Sequence, residues 1–233
     1  MRLRLPERVI EFPRRPLVMG IVNVNDDSFS GDGTLDFDKA VALARSQVAA
    51  GADVIDVGAE SARTNREAVP VAEELRRFRG FLERWDEVWQ GVEPRDAVQI
   101  WPPVLSANTW RPEVVEGILR AGNVELVNDM GALPDDRNAR FCAAHGAALL
   151  VMHSVGEPKI PNFQQQWADV MGAMERFFEE KIALIEAAGL SLEAVVLDPG
   201  IDFAKQREDN LTVFRELARL RKFGRPVLVP VSR

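Results

Sequence analysis

The stretch Gly51-Ala52-Asp53-Val54-Ile55-Asp56-Val57-Gly58 decides the fold. Its apolar residues run consecutively instead of alternating, so a strand here buries both of its faces. Strands of that kind belong to a parallel sheet covered by helices. A polar residue, Asp56, falls at the end of the run.

The pattern repeats in both directions. Similar runs occur at Leu17–Val22, Val104–Ser106, Glu125–Val127, Ala147–Met152, Ala194–Leu197 and Pro226–Val231. Between them, apolar spacing predicts helices over Phe37–Ala50, Val71–Trp89, Pro112–Ala121, Asp136–His145, Gln165–Ala188 and Asn210–Lys222. Val92–Pro103 holds three prolines and reads as a long connection. Strand-like runs that each lead into a helix, the last excepted, leave two architectures: a doubly wound open sheet or a (β/α)8 barrel.

Polar residues follow nearly every run: Asn23, Asp56, Asn108, Asn128-Asp129, His153, Asp198 and Ser232-Arg233. Both architectures bind ligands at the carboxyl ends of strands, but an open sheet uses only the few ends at its switch point. Contributions from almost every end favour the barrel, an α/β fold of TIM-barrel type. No Gly-x-Gly-x-x-Gly separates the first strand from its helix, which weakens a dinucleotide reading.

Composition excludes other classes. With 233 residues, 36 acidic and 29 basic side chains and a net charge of −7, the chain has no electrostatic footprint for nucleic acid. One Cys cannot make an internal disulfide, so a reducing, cytoplasmic location is expected. The Arg- and Pro-rich start does not read as a signal peptide, and no apolar run is long enough to span a membrane.

The strand-end set of Asp56, Asn108, Asn128 and Asp198 offers carboxylates and amides, which suit the amide and amino edge of a flat, nitrogen-rich heterocycle. The competing explanation is that such residues cap helices or bend loops. Two loops are more polar than a turn requires, Asn23–Gly33 and Glu60–Glu67, and Arg63 in the second suits a phosphate or carboxylate. With two His and no cluster of His, Cys and carboxylates at ligand spacing, a transition-metal site is not expected.

These residues resemble the dihydropteroate synthase family, the pterin-binding barrels of folate synthesis. The resemblance rests on Met19-Gly20-Ile21-Val22-Asn23-Val24 with Asp27-Ser28-Phe29-Ser30, on Gly51 to Gly58 with Glu60-Ser61 and Arg63, and on Asn108-Thr109-Trp110. It continues through Val127-Asn128-Asp129, Val151-Met152-His153, Leu197-Asp198-Pro199-Gly200 with Phe203 and Lys205, and Pro226–Val229 with Ser232-Arg233. The stretches keep the family's order over nearly the whole chain.

The resemblance implies a transferase that joins p-aminobenzoate to 6-hydroxymethyl-7,8-dihydropterin diphosphate and releases pyrophosphate, aided by Mg²⁺. Carried over by position, Asn128 and Asp198 hold the pterin edge, with Asn108 as a third polar group facing it. Asn23 contacts Mg²⁺ or the diphosphate, and Asp27 and Arg63 lie on two loops that order over the reactants. Asp56 supports the pocket floor, Phe203 forms its apolar wall, and Ser232 and Arg233 join the substrate-binding set. Residues 1–233 form a single pterin-binding barrel domain, and pairing through late helices would make a homodimer.

The sequence departs from the family pattern at several points. Asn108 replaces an Asp, Ala62 and Thr64 replace Thr and Pro, Asn25-Asp26 replaces Thr-Pro, and Gly31 replaces an Asp. The family pattern continues past Arg233 with a Lys and an eighth strand bearing an Arg and a His for the diphosphate. The expectation is therefore a barrel of about seven strands lacking its last β/α unit, with little turnover by the 233 residues alone. Two alternatives follow: a pterin- or partner-binding relative without synthase activity, and a pterin-dependent methyltransferase domain.

Other landmarks read as structural. Cys142 is expected to be a buried helix residue and His145 to belong to a cap region, while His153 is open between packing and substrate contact. Arg76, Arg77 and Arg79 with Glu73, Glu74 and Glu83 are expected on a solvated helix face. Trp85, Trp89, Trp101 and Trp110 cluster around the third connection and are expected to pack over the barrel bottom, with a partner surface as the alternative.

Overall fold

The computed structural model describes residues 1–25, 33–60, 67–160, 162 and 164–231. The elements run β1 (Arg2–Arg4), β2 (Val9–Glu11), β3 (Met19–Asn23), α1 (Phe37–Ala49), β4 (Val54–Gly58), α2 (Val71–Leu82), α3 (Trp85–Trp89), β5 (Val104–Asn108) and α4 (Pro112–Ala121). Then follow β6 (Leu126–Asp129), α5 (Arg137–His145), β7 (Ala148–Met152), α6 (Val170–Ala187), β8 (Val195–Asp198) and α7 (Arg207–Glu216), which tightens into a 3-10 turn at Leu217–Phe223. They fall into two compact units, one of Arg14–Asn128 and one of Met1–Pro13 with Asp129–Arg233.

In the Arg14–Asn128 unit the strands are parallel and in step. Ile21 pairs with Asp56, Asp56 with Ser106 and Ser106 with Leu126, and two residues further on Asn23, Gly58, Asn108 and Asn128 align. Residues two apart share a face, so Asp56, Ser106, Asn108 and Asn128 all point the same way. At the opposite end of β4, the fully buried carboxylate of Asp53 takes both Arg15 guanidinium nitrogens at 2.8 and 2.9 Å and the backbone N–H groups of Val18 and Ile100 at 2.8 and 2.9 Å. One charge thereby ties the starts of β3, β4 and the irregular third connection together.

The helix expected over Val71–Trp89 breaks in two. A change of direction at Arg84 lets Phe78, Phe81 and Leu82 of α2 and Trp85 and Val88 of α3 all reach the core. The solvated face expected on α2 is also corrected, because Glu74 and Arg77 are buried. Glu74 accepts from the Thr109 hydroxyl at 2.7 Å and from Arg111 at 2.7 Å. The second guanidinium branch of Arg111 meets Glu60 at 2.5 Å. Two buried carboxylates therefore share one cation, an arrangement that helical periodicity alone does not reveal.

In the other unit, β1 and β2 form a short antiparallel hairpin, which the sequence reading did not anticipate. β7 and β8 are parallel, with Leu149 opposite Val195 and Met152 opposite Asp198. The seventh apolar run, Pro226–Val231, is not a regular strand. It makes one bridge, between Leu197 and Val227, because Pro226 and Pro230 have no N–H to extend a ladder. α6 begins at Val170 instead of Gln165, capped by Asp169, which accepts from the Gly172 N–H at 2.8 Å. The residues before it stay non-helical while the Trp167 indole donates to the Ala204 carbonyl at 2.7 Å.

His153 packs among aromatic rings. Its ring lies 5.0 Å from Phe177, edge-on, and 5.3 Å from Trp167. Burial, together with the Lys205 charge, lowers its pKa to about 3. Cys142 is buried on α5 and burial raises its thiol pKa, and His145 ends that helix, as expected.

Arg111→Met should destabilise the fold by about 3 kcal/mol in urea unfolding at neutral pH, because Glu60 and Glu74 are left buried without their shared cation. The second prediction concerns His153, whose folded pKa lies below its unfolded value of 6.5. The unfolded chain takes up the proton first, so stability falls as pH drops from 6.5 towards 3. In His153→Phe, which keeps the aromatic contacts, unfolding followed over that range should show a shallower loss than in the native protein.

Candidate functional site

The strand ends of the Arg14–Asn128 unit build a polar cluster around one carboxylate. Asp56 is buried, and its Oδ1 accepts from the Ser106 hydroxyl at 2.5 Å. Its Oδ2 accepts from the carboxamide nitrogens of Asn128 at 3.0 Å and Asn108 at 3.3 Å. All three partners are neutral, so burial dominates and the carboxyl pKa is raised.

The carboxylate also sets how the two amides face. An amide that turns its NH₂ to Asp56 must aim its carbonyl oxygen elsewhere. For Asn128 that oxygen is buried and has no hydrogen-bond partner among the described residues. An unpaired buried acceptor of this kind awaits an N–H or O–H donor. Asn23 stands on the same row, with its Oδ1 3.5 Å from where a Cβ on Gly58 would lie, and Asn108 flanks that point at 3.8 Å. Gly58 thus leaves room for no more than a Cβ between two amide side chains.

The capping explanation holds for some strand ends and fails for others. Asp129, at the end of β6, accepts from the Gly131 N–H at 2.7 Å and from Asn138 at 2.9 Å, so it organises its own turn, and burial raises its pKa to about 6. Asn108 and Asn128 serve no turn and converge on Asp56.

The second unit carries its own strand-end group. Asp198 ends β8, is buried, and accepts from the Gly200 N–H at 2.7 Å. Gly200 has φ of 61°, and a Cβ there would come within 2.1 Å of the His153 carbonyl oxygen, so only glycine fits. Phe203 is half-buried in the same turn. Lys205 is buried and donates to the carbonyls of His153, Gly200 and Phe203 at 3.1, 2.9 and 3.0 Å. Burial lowers its pKa to about 7, against the opposing pull of Asp198, Asp209 and Asp202.

The fold therefore gathers Asp56, Asn108 and Asn128 in one unit, with Asn23 on their row, and Asp198 with Phe203 in the other. Asp27, Arg63, Ser232 and Arg233 lie outside the described residues, as do Ala62 and Thr64. Sequence reasoning gave no role to Ser106, Arg111 or Lys205. Ser106 was detectable, since it stands two residues before Asn108 on one strand face. The partners of Arg111 and Lys205 come from distant segments or backbone carbonyls and leave no periodic signal. Among the described residues no three His, Cys, Asp or Glu gather to hold a metal ion, and no helix is long and apolar enough to cross a membrane.

Comparison with known proteins shows the family. Residues 19–233 match the family model described as pterin binding enzyme. Dihydropteroate synthase from Synechocystis sp. is 34% identical over 233 residues, covering 99% of this chain and 76% of that protein. The crystal structure of Yersinia pestis dihydropteroate synthase with a sulfonamide drug complex superposes with a TM-score of 0.83 at 31% identity, covering 98% of this chain and 78% of that one. The Xanthomonas albilineans dihydropteroate synthase structure with 4-aminobenzoic acid gives a TM-score of 0.78 at 34% identity, covering 99% and 78%. The likeness bears out the expected fold class, α/β of the (β/α)8 barrel type. On sequence and on fold, the chain belongs to the dihydropteroate synthase family of pterin-binding enzymes.

Proposed function

We propose that this protein is a transferase of folate biosynthesis, joining p-aminobenzoate to 6-hydroxymethyl-7,8-dihydropterin diphosphate with release of pyrophosphate. The observation that carries the reading is the buried, unpaired carbonyl oxygen of Asn128, held outward by Asp56. A pterin edge presents the N–H donors that this oxygen lacks. By the family resemblance, Asp198 is a further pterin-binding residue, and Phe203 forms an apolar wall. Residues 1–233 act as one pterin-binding domain, in a cytoplasmic enzyme that pairs as a homodimer.

The chemistry asks for little proton transfer. The aniline nitrogen attacks the exocyclic methylene carbon of the pterin, and a C–N bond forms as the C–O bond to the diphosphate breaks. The electron pair leaves on pyrophosphate, and the nitrogen sheds one proton to solvent. The pterin ring spreads the positive charge that develops at that carbon, so positioning and stabilisation of the leaving anion dominate. Asn108 faces the ring beside Asn128. Asp27 and Arg63 serve the reactants from their loops, with Arg63 suited to the diphosphate, and Ser232 and Arg233 complete the substrate-binding set.

Asn23 presents a neutral oxygen on the row of strand ends. That donor fits a Mg²⁺ that arrives on the diphosphate, since Mg²⁺ keeps most of its waters and takes few protein ligands. When bound, the ion would neutralise charge on the leaving group. A second reading, a pterin-binding relative without turnover, is favoured by one feature: Asn108 stands where the family resemblance places a carboxylate, so the row lacks a charge that would stabilise a developing cation.

Three outcomes test the reading. Incubation with both substrates and Mg²⁺ should release pyrophosphate in step with dihydropteroate, whereas pterin binding without release selects the second reading. In calorimetry, Asn128→Ala should weaken pterin binding about ten-fold or more, matching the loss of a buried hydrogen-bonded contact of about 1–3 kcal/mol. Asn108→Asp should raise turnover about ten-fold, or about 1.4 kcal/mol of barrier, and leave the KM for p-aminobenzoate within about two-fold.

A further inference from the structure

The turn after β8 has an unusual backbone. Every second residue in it has positive φ: Gly200 at 61°, Asp202 at 67° and Ala204 at 51°. Asp202 and Ala204 have a Cβ, which disfavours that region, so the turn persists only if its surroundings hold it. Three sets of bonds do so at its edges. Asp198 accepts from the Gly200 N–H, Asn210 exchanges bonds with Asp202 at 3.0 and 2.6 Å, and Trp167 donates to the Ala204 carbonyl.

Its centre is held by a cation. The Lys205 Nζ has three N–H donors, and each meets a backbone carbonyl oxygen, those of His153, Gly200 and Phe203, at 2.9 to 3.1 Å. The charges of Asp198, Asp209 and Asp202 favour this ammonium against the cost of its burial. A lysine chain folded back onto three carbonyls of its own loop and of the preceding strand end puts an ammonium where a small monovalent cation would sit.

We propose that the carbonyls of His153, Gly200 and Phe203 form a monovalent-cation cage whose resident cation is the Lys205 ammonium, and that through it Lys205 is a positioning residue for Asp198 and Phe203. The cage locks the strained turn onto the end of β7, and the turn carries both residues. That these two then meet a pterin rests on the function proposed above; the cage itself does not.

The test removes the ammonium and offers it back. Lys205→Ala, Lys205→Met and the native protein are compared in methylammonium chloride and in tetramethylammonium chloride at equal ionic strength. Melting temperature and calorimetric affinity for 6-hydroxymethylpterin are read for each. Methylammonium carries three N–H donors and fits the space left by the lysine stem; tetramethylammonium has none and is too wide. Lys205→Ala should bind the pterin about ten-fold more weakly in tetramethylammonium, and recover affinity and melting temperature together in methylammonium. The native protein and Lys205→Met, whose stem fills the site, should not distinguish the two salts.

Equal melting temperature and affinity for Lys205→Ala in both salts would overturn the proposal. If the alanine variant does not fold, Lys205→Met decides: native-like affinity overturns the proposal, and a loss of about ten-fold supports it. If the native protein binds no pterin in either salt, the proposed function fails, and the melting temperature of Lys205→Ala still tests the cage.

Discussion

A carboxylate buried without a cation constrains the Arg14–Asn128 unit. Asp56 leaves water and, among the described residues, is met by a hydroxyl and two amides. Neutral donors stabilise a buried charge only if several converge with good geometry. That requirement fixes the register of β4, β5 and β6, since Ser106, Asn108 and Asn128 reach Asp56 only when their strands run parallel and in step. It also fixes the orientation of the amides, which leaves the buried Asn128 carbonyl oxygen without a partner among the described residues. The raised pKa of Asp56 and the unpaired oxygen of Asn128 have one cause.

The two ends of β4 divide the work. Asp53 at its start is fully buried and receives a bidentate guanidinium as well as two backbone donors, so its bonding capacity is used and it serves the fold. Asp56 near its end spends its capacity on neutral groups, of which Asn128 retains an unpaired acceptor among the described residues. The same division appears in the other unit. Asp129 closes on its own turn and on Asn138, whereas the turn that carries Asp198 and Phe203 is held by the Lys205 ammonium. In both units a carboxylate that holds the backbone, Asp53 or Asp129, has its bonds filled internally, and acceptors or apolar surface left over at the carboxyl ends of strands are what a ligand can use.

Much of the fold was legible in the sequence because parallel strands bury both faces, and consecutive apolar residues are hard to disguise. Six of the seven runs became strands within a residue or two, and the helices after them followed their apolar spacing. The seventh run failed for a local reason that was also visible, two prolines without N–H groups. The misreadings of α2 and of the start of α6 have another origin. Glu74 looks solvent-facing by charge, and only Thr109 and Arg111, distant in sequence, make it an interior residue. Gln165 to Ala168 could continue a helix, but Trp167 is committed to the Ala204 carbonyl.

By itself, the sequence determined the α/β class, the clustering of polar residues at strand ends and the family, because each rests on residue type and local order along the chain. Tertiary structure alone decided which strand-end residue does what. Asn128 and Asp129 are neighbours with similar side chains, yet one turns to Asp56 and keeps an acceptor free while the other closes a turn. Lys205 looks like one more surface charge until three carbonyls from two segments surround it. Composition and periodicity report whether a group wants to be buried; only the positions of its partners in space report whether its hydrogen bonds are already filled, and that is what separates a structural residue from one available to a substrate.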